Sequence, residues 1–203
     1  MRPDHAVAAS RQRPDGGAPR ALRRLTAPPA IPPAILPALP PRRSFPPVVD
    51  AHSRVLVLGT LPGEESLRRQ EYYAHPRNLF WPIVFSLFGE SAPPGYADRL
   101  GFVARRQIAL WDVCESGRRH ASADATIRGE VPNAIDALLA AHPAIAAVAF
   151  NGSGALRLHE RHFARRPDLR YLALPSTSPA YASLGFADKL GRWSALREVL
   201  GGG

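Results

Sequence analysis

Arg54-Val55-Leu56-Val57-Leu58-Gly59-Thr60-Leu61-Pro62-Gly63 is the stretch that decides the fold of this 203-residue chain. Its apolar run shows no polar alternation, which is how a strand buried on both faces of a parallel sheet reads. Glycine and proline then form a tight turn whose backbone N–H groups can approach a ligand closely. The turn lacks the Gly-Lys-Ser/Thr ending of a phosphate-binding Walker A loop and the third glycine of a dinucleotide fingerprint. Taken alone, it is equally well read as an ordinary strand-to-helix connection.

Three further apolar runs follow, at 107–112, 145–150 and 169–174. Helical patterns lie between them: 79–88, with Pro82 tolerated near the first turn, then 96–104, 131–141, 151–163 and 185–200. Four apolar strands separated by helices predict an α/β fold, a three-layer α/β/α sandwich around a central four-stranded parallel sheet. Ligands bind such sheets at the carboxyl ends of the strands, and each polar motif of this chain falls there.

Those motifs are four. Tyr72-Tyr73-Ala74-His75-Pro76-Arg77-Asn78-Leu79-Phe80-Trp81 offers Tyr73 as a stacking surface for a flat ring, His75 as a hydrogen-bonding group, and Asn78 either as a helix cap or as a carboxamide orienting a water. Asp112 closes the second strand as a further polar group in the pocket. Asn151-Gly152-Ser153-Gly154 opens a helix whose N-terminus can hold an anion. Ser176-Thr177-Ser178-Pro179-Ala180-Tyr181 offers hydroxyl and N–H donors to phosphate, or forms a plain Ser/Pro turn. The polar loop 116–127, with Arg118, Arg119, His120 and Asp124, carries no assigned role.

Composition sets the bounds. One cysteine, Cys114, excludes a disulfide framework and any four-cysteine metal or iron–sulfur site. No run is apolar for the length of a membrane helix. The formal charge is +9, with Lys189 the only lysine; guanidinium groups favour phosphate-bearing partners, and a GC-rich genome is the other source of arginine. Residues 1–47 hold twelve of the 22 prolines and eight arginines against two aspartates. Such sequence cannot pack a core and reads as a disordered basic tail, leaving 48–203 as the folded domain. The tail adds non-specific DNA affinity or is inert. It lacks the apolar run of a secretory signal, so a cytoplasmic protein is expected.

Together the motifs resemble the uracil-DNA glycosylase superfamily, and within it the hypoxanthine-DNA glycosylase branch. The mismatch-specific uracil and thymine glycosylases carry Gly-x-Asn-Pro-Gly, then aromatic-Ala-His-Pro-x-Asn-x-Phe-Trp. This chain has Gly59-Thr60-Leu61-Pro62-Gly63 and Tyr73-Ala74-His75-Pro76-Arg77-Asn78-Leu79-Phe80-Trp81, with later likeness at Phe150-Asn151-Gly152 and Leu174-Pro175-Ser176-Thr177-Ser178. The departure is Leu61, which replaces the asparagine that positions water in the mismatch-specific enzymes. The resemblance implies a monomeric, monofunctional glycosylase without metal or cofactor, acting on DNA that contains a deaminated base. Asn78 is the implied catalytic residue. Gly59, Thr60, Leu61, Pro62, Gly63, Tyr73, His75, Asp112 and Asn151 form the implied base pocket. Arg77, Gly152, Ser153, Ser176, Thr177, Ser178, Pro179 and Tyr181 are the implied DNA contacts. The alternatives are a uracil-specific enzyme on the same fold and a non-catalytic binder in which Leu61 marks a lost site.

Overall fold

The computed structural model describes residues 41–119 and 126–201. In chain order these form β1 (Arg42–Arg43), β2 (Val55–Gly59), α1 (Glu64–Arg69), α2 (Phe80–Ser86), α3 (Tyr96–Arg105), β3 (Ile108–Asp112), β4 (Cys114–Arg118) and β5 (Arg128–Pro132). Then come α4 (Ile135–Ala141), β6 (Ala147–Asn151), α5 (Ser153–His162), β7 (Arg170–Leu174), α6 (Phe186–Trp193) and α7 (Ala195–Leu200). The four expected apolar strands pair in parallel, in the order β3-β2-β6-β7.

Alternation within the strands explains their unbroken apolar sequence. Val55, Val57, Ile108 and Leu110 face one way, against Phe80, Phe85, Phe102 and Trp193 of α2, α3 and α6. Leu56, Leu58, Val148 and Phe150 face the other way, against Ile135, Leu139 and Leu158 of α4 and α5. Both faces are therefore covered, and period 2 is hidden because every position is apolar. This is the three-layer sandwich the sequence predicts. Among the described residues, no helix is long and apolar enough to cross a membrane.

A second, antiparallel sheet of order β1-β4-β5 lies outside the sequence expectation. Arg42 pairs with Gly117 and Cys114 with Pro132. The helix expected over 131–141 starts only at Ile135, because Val131 is held extended by the following proline and pairs with Ser116. Asn133 then ties the connection down, its Nδ2 donating to Asp112 O at 2.9 Å and its N–H to Val113 O at 2.9 Å. The helix expected over 185–200 is two, joined at Ser194, whose hydroxyl donates to Gly191 O.

The strand β1 and the residues after it correct the boundary drawn at 47. Phe45 O accepts from Trp111 Nε1 at 3.1 Å and from Tyr72 Oη at 3.3 Å, and Pro46 O accepts from Tyr72 Oη at 3.2 Å. The folded unit thus begins before residue 48. Residues 1–40 of the expected tail, and His120 and Asp124 of the polar loop, lie outside the described residues. A chain beginning at Val48 is expected to be less stable than one beginning at Pro41 by about 2–4 kcal/mol. Two buried donors would lose their acceptors, each worth about 1–3 kcal/mol. Urea unfolding of the two chains measures the difference.

Candidate active site

The carboxyl ends of the parallel strands converge on one cavity of about 350 Å³. Gly59 ends β2 and pairs in register with Asp112, the end of β3; Asn151 ends β6 opposite Leu174 of β7. Glycine is required at 59 for a local reason. A Cβ there would lie 2.5 Å from Asp112 Oδ1 and 3.5 Å from the Tyr73 hydroxyl. Asp112 is buried, and its Oδ2 accepts from Ser44 Oγ at 3.4 Å.

The 72–81 segment forms one wall. Tyr73 sits at φ +55°, a left-handed conformation uncommon for a residue with a side chain. Its ring stacks on Phe80 with centroids 3.8 Å apart, so only the opposite face is left for a ligand. The Tyr73 hydroxyl is buried beside Asn151 and Asp112. Burial, reinforced by the Asp112 carboxylate, holds the Tyr73 phenol well above its ordinary pKa, so it stays protonated. His75 Nδ1 accepts from the Arg77 N–H at 3.1 Å, which puts the proton of the neutral ring on Nε2 as a donor. Asn78 Oδ1 accepts from the Phe80 N–H at 2.9 Å, capping the first residue of α2. The cap and the pocket group are therefore the same side chain. Its Nδ2 and the second lone pair of Oδ1 remain for a ligand.

Asn151 and Thr177 form a buried latch. Asn151 Nδ2 donates to Thr177 Oγ1 and Asn151 Oδ1 accepts from the Thr177 N–H, both at 2.8 Å. Thr177 O in turn accepts from the Leu79 N–H at 3.0 Å, which joins the loop after β7 to the start of α2. The N–H, the carbonyl and the hydroxyl oxygen of Thr177 all have partners, and the residue is buried. Thr177, expected as a phosphate contact, holds the loop in this structure and also lines the cavity. The Gly152 N–H, of a residue expected to contact DNA, donates to Leu174 O at 2.9 Å. Gly152 stands at φ +98°, and a Cβ there would meet Ser176 Cβ at 2.8 Å. Asn151 lines the cavity while its carboxamide makes the latch.

Of the remaining expected DNA contacts, Ser176 and Ser178 are half-buried at the cavity, and Ser153, Arg77 and Tyr181 are exposed. Pro179 lines the cavity edge. Lys189, buried, donates from Nζ to Tyr181 O at 2.7 Å and anchors that loop from beneath.

The turn at 59–63 is held from the small sheet. Arg119, buried just beyond β4, donates to Pro62 O at 2.7 Å and to Thr60 Oγ1 at 3.3 Å. Leu61 is buried in the second core, close enough to β4 that a Cβ on Gly117 would lie 3.1 Å from its Cδ1. Thr60, Leu61, Pro62 and Gly63 line the cavity. Sequence reasoning left Arg119 unassigned and placed Phe45, another lining residue, in the tail. An aromatic at the end of a proline-rich stretch was the available signal for Phe45; nothing local marks Arg119.

A model of the Uracil DNA glycosylase superfamily matches residues 46–197. The chain is 39% identical over 112 residues to a protein of Methanosarcina barkeri named Hypoxanthine DNA glycosylase, a match covering 55% of this chain and 71% of that one. A protein of the same name from Methanosarcina acetivorans is 38% identical, with the same coverage. The solution NMR structure of a candidate uracil DNA glycosylase from Methanosarcina acetivorans superimposes with a TM-score of 0.66 at 32% identity. That alignment covers 78% of this chain and 98% of the other.

Proposed function

The chain belongs to the uracil DNA glycosylase superfamily and is a DNA glycosylase, and from that premise we propose that it releases hypoxanthine from deoxyinosine in DNA. One observation carries the choice of branch and of catalytic residue. At the turn where the mismatch-specific enzymes hold asparagine, this chain has Leu61, an apolar residue of the cavity lining that cannot orient a water, while Asn78 supplies a carboxamide residue to the same lining. The names of the two Methanosarcina relatives agree with hypoxanthine as the substrate base.

The nucleotide is flipped out of the duplex at a cost of about a few kcal/mol, smallest at a mispair. Asn78 holds the attacking water against C1′ as the glycosidic bond breaks, and the His75 Nε2–H and the 59–63 backbone stabilise the departing base anion. Ser176, Ser178, Ser153 and Arg77 contact flanking phosphates, and Pro179 and Tyr181 enter the gap left by the base. The enzyme is read as a monomer, since every group named in this mechanism comes from one chain. Its substrate places it in the cytoplasm, on the nucleoid.

Base release from duplexes carrying deoxyinosine, deoxyuridine or deoxyxanthosine tests the reading. Hypoxanthine is expected to leave fastest; faster release of uracil would transfer the assignment to a uracil enzyme, and no release at all would sink the enzymatic reading. Gly59→Ala is expected to lower release by about 10²-fold. A carboxylate displaced from the pocket floor misplaces the base by the order of an ångström. Single-turnover kinetics with unchanged circular dichroism checks it.

A further inference from the structure

We propose that Lys189 is a positioning residue for opening the duplex: from its buried place on α6 it fixes Tyr181 at the mouth of the site. The inference rests on the glycosylase reading above and adds the residue through which Tyr181 is set to enter the gap.

Lys189 is the only lysine of a chain whose other long basic side chains are all arginine. It is also 2% exposed, one of the two buried residues of α6. The other is Trp193, four residues on and so on the same face of the helix. Both donate to main-chain carbonyls of the loop after β7: Trp193 Nε1 to Pro175 O at 2.9 Å and Lys189 Nζ to Tyr181 O at 2.7 Å. α6 therefore splints residues 175–181 at both ends, while the Asn151–Thr177 latch holds the middle. Lys189 grips Tyr181 twice, because its Nζ also lies 5.2 Å from the centroid of the tyrosine ring, within the range of a cation–π contact. The Tyr181 N–H closes a turn onto Ser178 O at 3.0 Å, so main chain and ring are both fixed. Even so, Tyr181 is 40% exposed, two residues beyond Pro179 at the cavity edge.

Stability does not account for a lysine at this position. Its ammonium has three donors and, among the described residues, one hydrogen-bond acceptor. Taking such a charge out of water is unfavourable unless its donors are met, and an apolar side chain of similar volume is commonly as stable or more so. Methionine would fill the same space without that penalty. What it would lose is the tie to Tyr181, leaving an exposed aromatic on a loop free to turn away. A side chain fixed in advance loses less freedom when it binds. The step it assists is the breaking of a base pair, so a base already unpaired needs little of it.

The test is single-turnover hypoxanthine release from two duplexes, one with deoxyinosine paired to deoxycytidine and one with deoxyinosine in a short unpaired bubble. The proteins are the parent, Lys189→Met, Tyr181→Ala and the double variant. Lys189→Met is expected to lose about tenfold on the paired duplex and less than about twofold on the bubble, with a melting temperature equal to the parent's or higher. On the paired duplex the double variant should be no slower than Tyr181→Ala alone, as for two residues acting through one contact. Equal loss on both duplexes, no loss on the paired one, or additive losses in the double variant overturns the inference. A Lys189→Met protein that melts well below the parent or does not fold also overturns it, by making Lys189 a residue of stability. All of these outcomes leave hypoxanthine release by the parent standing; a parent that releases none from either duplex refutes the function itself.

Discussion

Replacing Asn78 by alanine is expected to lower hypoxanthine release by about 10²–10³-fold, the scale on which losing one oriented polar group in an active site is felt. The same change removes the cap on the Phe80 N–H, which costs about 1 kcal/mol of stability. These two effects are separable. Asn78→Asp keeps an oxygen for the cap, so its thermal unfolding should match the parent, yet it lacks the amide donor and sets a negative charge beside a departing anion. It should fold normally and be nearly as inactive as the alanine variant. An Asn78→Asp protein with parental activity would assign Asn78 to the cap alone.

The second large effect is expected at Asn151, and it is one of stability first. Asn151→Ala leaves the Thr177 N–H and hydroxyl buried without their partners. At about 1–3 kcal/mol for each orphaned group, a loss of about 2–4 kcal/mol is expected, which lowers the melting temperature by roughly 5–15 °C. Activity should fall with it, because Thr177 O is the acceptor that ties this loop to Leu79, next to Asn78. Asn151→Asp keeps the acceptor for the Thr177 N–H and should recover part of the stability. Calorimetry on the three proteins checks the order: parent, then aspartate, then alanine.

The parallel sheet was legible because its strands are buried on both faces and so contain almost nothing polar. β7 is the partial exception, with Arg170 and Ala173 exposed at the sheet's edge, yet its Tyr-Leu-Ala-Leu core was enough. The small sheet was not legible: β4 reads Cys-Glu-Ser-Gly-Arg and β5 Arg-Gly-Glu-Val-Pro. Such residues become strands only by pairing with each other, a tertiary effect that overrides weak local preference. α1 was missed for a related reason, since six residues give too few turns for a periodic pattern. Its acidic first turn and basic last turn, Glu64-Glu65 and Arg68-Arg69, were the available signal.

In the site, residue type gave position better than role. Asn78, Asp112, Asn151 and Tyr73 all reach the cavity, as strand-end and helix-start placement implies. Yet asparagine at 151 and threonine at 177 are equally suited to holding a ligand and to holding each other, and only the structure shows the 2.8 Å contacts between them. Tyr73 shows the converse. Its aromatic ring suggested stacking, whereas the burial of its hydroxyl beside Asn151 and Asp112 is visible only in three dimensions.

The most direct test is single-turnover release of free base from two duplexes differing only in deoxyinosine or deoxyuridine, with the parent and Asn78→Ala proteins side by side. Hypoxanthine release faster than uracil release in the parent, and loss of both in the variant, is the predicted result. Uracil leaving faster, or hypoxanthine release that survives the loss of Asn78, would contradict it.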